Sequence, residues 1–436
     1  MNNLTVAAAV ALALGAASAA QADSCAAPTS ALYVAGSSAA KGSISTALKT
    51  DLFGTEYAFS STNGDFEAFC GDVSASGATN SGLTQGTTAV VYYRAEGGSV
   101  VGALPIVSGN AVNFLDLSGT NCLTANPLTT GTSASNGTTD TWGGCVTTHS
   151  VEMGITDLEP GVFLASAGNY PTAYSTTVFG SANPSQLAGL STVPLFQQVF
   201  GIFVNTQGIN GGSTGQALNL SKEVVADILT GKYKNWNKVP TPSGGVVSST
   251  SQAITIENRE AGSGTRTGAS LYFLGQECTN KPLPLKDPGP DYYATGDVLK
   301  QAAGVAGSIT YASIDNVTKQ PNLTLISLSG LSPNTLLAAT GQYDWWYEAT
   351  AVPGNTTGTS GGITTPGGQS IYSFLTGGEL QNLTSAPHAV DINVIPGAGT
   401  NVGTVPLLSS ASGTTVIYVN PFTRGGNSCS PPVSTN

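Results

Sequence analysis

Apolar residues in this chain fall into short runs bounded by Gly, Ser, Thr and Asn, and the runs alternate between strand-like and helix-like spacing. The run "ALYVA" leads into Gly36-Ser37-Ser38 and then a helical pattern, and "TTAVVYY" leads into Gly97-Gly98-Ser99 in the same way. Cys70 to Gly86 reads as loop, and residues 105–150, rich in Thr, Asn, Gly and Ser, read as an insertion or elaborated loop. "VEMGITDLEP" gives a short strand ending at Thr156-Asp157, and "LFQQVFGIFVNTQG" reads as a near-continuous apolar strand pair crossing between lobes. A helix follows in "LNLSKEVVADILTGKYKNWNKV", with Ser221 as N-cap, Val224, Val225, Ile228 and Leu229 on one face, and Gly231 as stop. Further on come the helix "TGDVLKQAAG", the strand "AGSITYASI", the helix "TLLAATG" and the returning strand "YDWWYEATAV". The chain then runs through a low-complexity linker "TTGTSGGITTPGG", the helix "SIYSFLTGGEL", and closing strands "VDINVIPG" and "TTVIYVNPF". Strands alternating with helices throughout predict α/β lobes with parallel or mixed sheets.

The most informative stretch is Ile254 to Leu271, "ITIENREAGSGTRTGASL", an alternating strand that enters a small-residue turn and then a helix. A helix start offers free N–H groups and a partial positive charge, so a tetrahedral anion can sit there without a metal. Arg259 adds a planar guanidinium fork, Gly262 and Gly264 permit close backbone approach, and Ser263 and Thr265 supply hydroxyls. A Gly-Ser turn with a solvated Arg would look the same locally, and the rest of the chain must decide between them.

Composition narrows the choice. Charged residues are 9% of the chain and Lys+Arg number 14 in 436 residues, so an Arg beside Gly-Ser-Gly-Thr carries weight. The formal net charge of −11 argues against nucleic acid and against anionic lipid surfaces. Any anion site must then work through local donors and not through a basic field. The first 22 residues, "MNNLTVAAAVALALGAASAAQA", read as a secretory signal peptide, although no Lys or Arg precedes the apolar core. No other long apolar run follows, which leaves the mature chain without membrane insertion and long enough for two lobes. Six Cys in an exported chain predict disulfides, with Cys122 to Cys145 as the pairing singled out because it would staple the insertion. Two His and no clustered free Cys predict no transition-metal site and no cofactor.

In order and spacing, "SKEVVADILTGKYKNWNKV" followed by "ITIENREAGSGTRTGASLYF" and "AGSITYASIDN" resembles the phosphate-binding proteins of bacterial ABC importers, within the type II periplasmic binding-protein family. "VAGSSAAKGS", "EGGSVVG" and "GITDLEP" extend the likeness more weakly into the first third of the chain. The resemblance implies a two-lobed Venus-flytrap of mixed sheets flanked by helices, with an anion cleft between the lobes. It divides the chain into a first lobe (23–202), a second lobe (203–345) and a return to the first (346–436). It also implies a periplasmic or extracellular monomer that binds inorganic phosphate and delivers it to an ABC permease. Arg259, Ser263, Gly264 and Thr265 would bind phosphate from one lobe, and Ser38, the Ala39 amide, Gly97, Gly98, Ser99 and Asp157 from the other. The family sets its hydroxyl before a glycine pair, whereas Ser99 follows Gly97-Gly98 here.

Asp157 fits a ligand that carries a proton, since phosphate can donate to a carboxylate and sulfate cannot. Two other readings stand beside this one: an extracellular structural or adhesive protein on the same fold, and a secreted phosphatase-like enzyme. Ser38 to Lys41 satisfies S-x-x-K and Gly211 to Gly215 satisfies G-x-S-x-G, each a weak signal for catalysis.

Overall fold

The computed structural model describes residues 24–61, 64–118, 122, 145–163, 168–170, 173–212, 214–276, 278–279, 283–286, 291–316, 320–354, 362–377, 394–396 and 422–434. The leader, most of the 105–150 insertion, Ser213 and nearly all of "TTVIYVNPF" lie outside these residues. The chain enters through β1 (Ser30–Gly36), turns into α1 (Lys41–Ala47) and returns as a hairpin of β2 (Phe53–Ser60) and β3 (Phe66–Val73). Next come α2 (Ala75–Ser81), β4 (Thr88–Arg94), α3 (Leu104–Ser108), the ribbon of β5 (Ala111–Leu115) with β6 (Val146–Ser150), and β7 (Met153–Thr156). The long β8 (Val193–Val204) precedes α4 (Lys222–Leu229), β9 (Thr255–Ile256), α5 (Gly264–Leu274), α6 (Thr295–Gly304) and β10 (Ser308–Ser313). The chain returns through α7 (Thr335–Ala339), β11 (Trp346–Pro353) and α8 (Gly368–Gly377).

The strands hydrogen-bond in the order β9-β10-β8-β11-β7-β1-β4-β3-β2. β1 runs parallel to both β4 and β7, so the carboxyl ends of all three open on one edge. β9 runs parallel to β10, and β10 and β11 are both antiparallel to β8. Val193 to Val199 of β8 lie along β11, while Phe200 to Val204 lie along β10, so this one strand belongs to both halves of the molecule.

The apolar side chains separate in the same way. One core gathers around Val199 to Val204 with Val225, Ile228, Leu229, Trp236, Leu271 and Trp345, and α6 seals the opposite face of that sheet through Val298, Leu299 and Ala302. Two further cores cover the faces of the sheet around β1: Phe66, Val100, Leu104 and Phe163 on one side, and Ile44, Leu48, Ile155 and Phe374 on the other. The two-lobed α/β architecture expected from the alternation is the one observed, with each lobe a sheet between layers.

Three local expectations need correction. Cys70 to Gly86 is not loop: Cys70 lies inside β3, and Ser74 caps α2 by accepting the Gly77 amide at 2.9 Å. Its Gly, Ser, Ala and Asn content conceals a strand and a helix whose burial is decided by tertiary contact. The apolar run expected to make a strand pair is one unbroken strand, β8, because it switches partners without turning. The described end of the low-complexity linker is anchored, since the amides of Thr364 and Thr365 donate to the buried Glu152 carboxylate at 2.8 and 2.9 Å.

Disulfides join Cys25 to Cys70, Cys122 to Cys145 and Cys278 to Cys429, fixing the N-terminal segment to β3, closing the insertion, and tying the tail of α5 to the C-terminal segment. Among the described residues, no helix is long and apolar enough to cross a membrane.

Candidate anion site

Parallel pairing brings the ends of β1, β4 and β7 to one edge, where open α/β sheets present their ligand-binding turns. Ser37 follows β1, Gly97 to Ser99 follow β4, and Asp157 follows β7. Asp157 is buried and its carboxylate accepts a short hydrogen bond from the Ser37 hydroxyl. The Asp157 amide donates to Ser99 Oγ at 3.0 Å, which locks the second turn to the third. Burial raises the Asp157 carboxyl above the usual range, while the hydrogen bond from Ser37, the charge of Arg259, and hydrogen bonds from Ser99 and Thr265 oppose that rise.

The opposite wall is the start of α5. Ser263 is its N-cap, accepting the Arg266 amide at 3.3 Å, and Thr265 Oγ1 in the first turn donates to Asp157 Oδ2 at 3.4 Å. Gly264 has to be glycine, because a Cβ there would stand 2.3 Å from Ser99 Oγ and 2.7 Å from Asp157 Oδ2. Gly98, at φ 72°, is equally constrained, since a side chain would meet Ser263 Cα at 2.9 Å. The Val100 amide donates to the Gly262 carbonyl at 3.0 Å, so the two lobes touch through main chain at this point.

Arg259 is buried beside these turns and is held entirely by neutral acceptors. Its Nε donates to the Tyr292 carbonyl at 3.1 Å, Nη2 to the Tyr293 carbonyl at 2.6 Å, and Nη1 to Thr295 Oγ1 at 2.8 Å. Thr295, at the start of α6, also meets the other lobe: its hydroxyl lies 3.0 Å from Ser38 Oγ, and its amide donates to that oxygen at 3.3 Å. Burial lowers the Arg259 pKa, with Glu260 and Asp157 opposing, and a guanidinium stays charged under such a shift.

Of the residues singled out from sequence, Ser38, Gly97, Gly98, Ser99, Asp157, Arg259, Ser263, Gly264 and Thr265 converge on this seam. Ala39 departs: its amide donates to Ser37 Oγ at 3.1 Å, within its own turn. Ser37 and Thr295 were missed by the sequence reading. Ser37 stands one residue from a hydroxyl that was considered, and Thr295 begins a helix that was recognised, but nothing local indicates that either meets the cleft. The S-x-x-K spacing does not bring its ends together, for Lys41 Nζ donates to the Gly64 carbonyl at 2.5 Å and to Glu67 at 2.6 Å while Ser38 faces Thr295.

No family model matches the chain. The phosphate-binding protein PstS of Bacillus subtilis (strain 168) is 32% identical over 142 residues, which is 32% of this chain and 42% of that protein. The resemblance to phosphate-binding proteins holds. The chain spans less than half the length of this curated relative. Solved structures that align with it include an ABC-type phosphate transport receptor from Vibrio cholerae, at 13% identity and TM-score 0.38, covering 79% of this chain and 93% of that one. A phosphate-binding protein from Stenotrophomonas maltophilia aligns at 13% identity and TM-score 0.39, covering 79% and 89%. At such distances the chemistry of the site rests on this chain's own residues.

Proposed function

We propose that this chain is an exported solute-binding protein that captures inorganic phosphate between its lobes for an ABC importer, without catalysing a reaction. The observation that carries the reading is Arg259, a buried cation held by carbonyls and a hydroxyl, standing beside a helix N-terminus and opposite Asp157. Its charge is left for a ligand, and the amides and hydroxyls of α5 and the β4 turn complete an oxyanion cradle. Asp157 selects an anion that brings a proton, since a fully ionised sulfate would leave the carboxylate facing negative charge.

Phosphate enters in this reading by parting the contacts of Ser38 with Thr295 and of Asp157 with Thr265, and the lobes flex where β8 and β11 run between them. The site then works as a monomer in the periplasm, with a permease as the receiving partner. Titration calorimetry of the mature protein tests this directly: phosphate binds at micromolar affinity or tighter and sulfate competes poorly. Absence of binding at millimolar phosphate would remove the proposal, and turnover of a phosphate ester would replace it with the enzyme reading.

A further inference from the structure

The cleft contains more acid than phosphate capture needs. Glu260, next to Arg259, is 1% exposed, and neither of its carboxylate oxygens has a hydrogen-bond partner. It points across the seam, its Oε1 lying 3.5 Å from where a Cβ on Gly97 would stand. The residue before Gly97 is Glu96, fully buried, with one oxygen 2.7 Å from Arg94 Nη2. Beside it the carbonyl of buried Asp65 accepts the Ala95 amide at 2.7 Å. Asp297 stands in the first turn of α6, two residues beyond the Thr295 that holds Arg259. Five carboxylates (Asp65, Glu96, Asp157, Glu260, Asp297) thus face two guanidiniums, those of Arg94 and Arg259. The nearby Lys41 and Arg266 are matched separately by Glu67 and Asp291.

A bare phosphate dianion would add to this negative surplus and leave Glu260 buried without a counterpart, which is costly in a low-dielectric cleft. A metal ion is a poor answer, because among the described residues no three His, Cys, Asp or Glu side chains are grouped to hold one. An organic ammonium suits the arrangement better, as a compact cation with several donors and no fixed coordination geometry. We propose that Glu260, with Glu96 opposite, forms an ammonium subsite beside the oxyanion cradle, so that the ligand is a phosphorus oxyanion carrying an amine on a short chain. This rests on the oxyanion reading above and names its ligand class.

The competing account is that the acids simply hold protons. Burial raises the Asp65 and Glu260 carboxyls well above the usual range, with Glu96 adding to both. On that account the groups donate to plain phosphate, whose affinity then climbs steeply as pH falls while an amine brings no advantage.

Calorimetry with inorganic phosphate, aminoethylphosphonate and propylphosphonate separates these accounts, since the last two differ only in ammonium against methyl. We expect aminoethylphosphonate to bind at least about 10-fold more tightly than propylphosphonate near neutral pH, as a charge-assisted hydrogen bond predicts. Glu260→Gln should cut that ratio to below about 3-fold, because the amide keeps the shape and loses the charge. Should that variant fail to fold, the wild-type ratio alone still decides. Equal binding of the two phosphonates, or phosphate binding tightest of the three, removes the subsite and leaves phosphate capture standing. If none of the three binds, the capture reading falls and takes the subsite with it.

Discussion

Arg94 and Arg259 are both buried guanidiniums near the ends of strands, one in each lobe, and their surroundings differ in a way that separates structure from function. Arg94 is clamped between the rings of Phe66 and Phe179, each 4.7 Å from its guanidinium carbon, and pairs with Glu96 at 2.7 Å. Its charge is already answered inside its own lobe. Arg259 receives two carbonyls and a hydroxyl, which orient the fork without cancelling its charge. A buried cation is expensive unless a counter-charge arrives, so the second environment suits a residue whose partner comes and goes.

This contrast can be broken experimentally. The largest effect should come from Arg94→Met, which strands Glu96 and is expected to lower unfolding free energy by about 3–5 kcal/mol, read by denaturant titration. If that variant is as stable as wild type but no longer binds phosphate, the assignment of roles is wrong. Arg259→Met should act the other way, weakening phosphate by roughly 100-fold in calorimetry through loss of its charge-assisted bonds. Asp157→Asn should reduce the preference for phosphate over sulfate by about 10-fold or more, since an amide no longer demands a proton from the ligand.

The smallest effect sharpens the comparison from the acid side. Burial raises the Glu260 carboxyl well above its ordinary value, with the charge of Arg259 opposing. The folded state therefore keeps a proton over a pH span in which the unfolded chain has already released it, and stability falls as pH climbs through that span. Glu260→Gln abolishes this dependence, so it should stabilise the protein by on the order of 1 kcal/mol above neutral pH, with the gain fading toward the ordinary glutamate range. Thermal melts of both proteins across pH measure it, and a gain that is constant with pH would contradict the raised carboxyl.

Features set by local chemistry were legible in the sequence. Ser221 caps α4 by accepting the Val224 amide at 3.3 Å, and the turn before α5 has the small residues its close packing requires. Asp157 and Arg259 stood out because their neighbours in sequence already suggested strand ends. What escaped was set at a distance. The choice of Ser37 over Ser38 as the partner of Asp157 depends on a contact 120 residues away, and Ser38 finds Thr295 across 257. Glu96 and Glu260 looked like ordinary loop acids, which are usually solvated, and only the packing of the two lobes buries them. In the same way α2 was hidden by a composition typical of turns, because its burial against the neighbouring elements has no signature in its own residues.

The sharing of β8 between lobes has a mechanical consequence. A strand that is laddered to β11 along one half and to β10 along the other has no slack at the crossing, so the lobes can separate only by bending or twisting a continuous hydrogen-bonded ribbon. Such a ribbon acts as a leaf spring: each displacement has a restoring force, and the resting angle is written into the sheet itself.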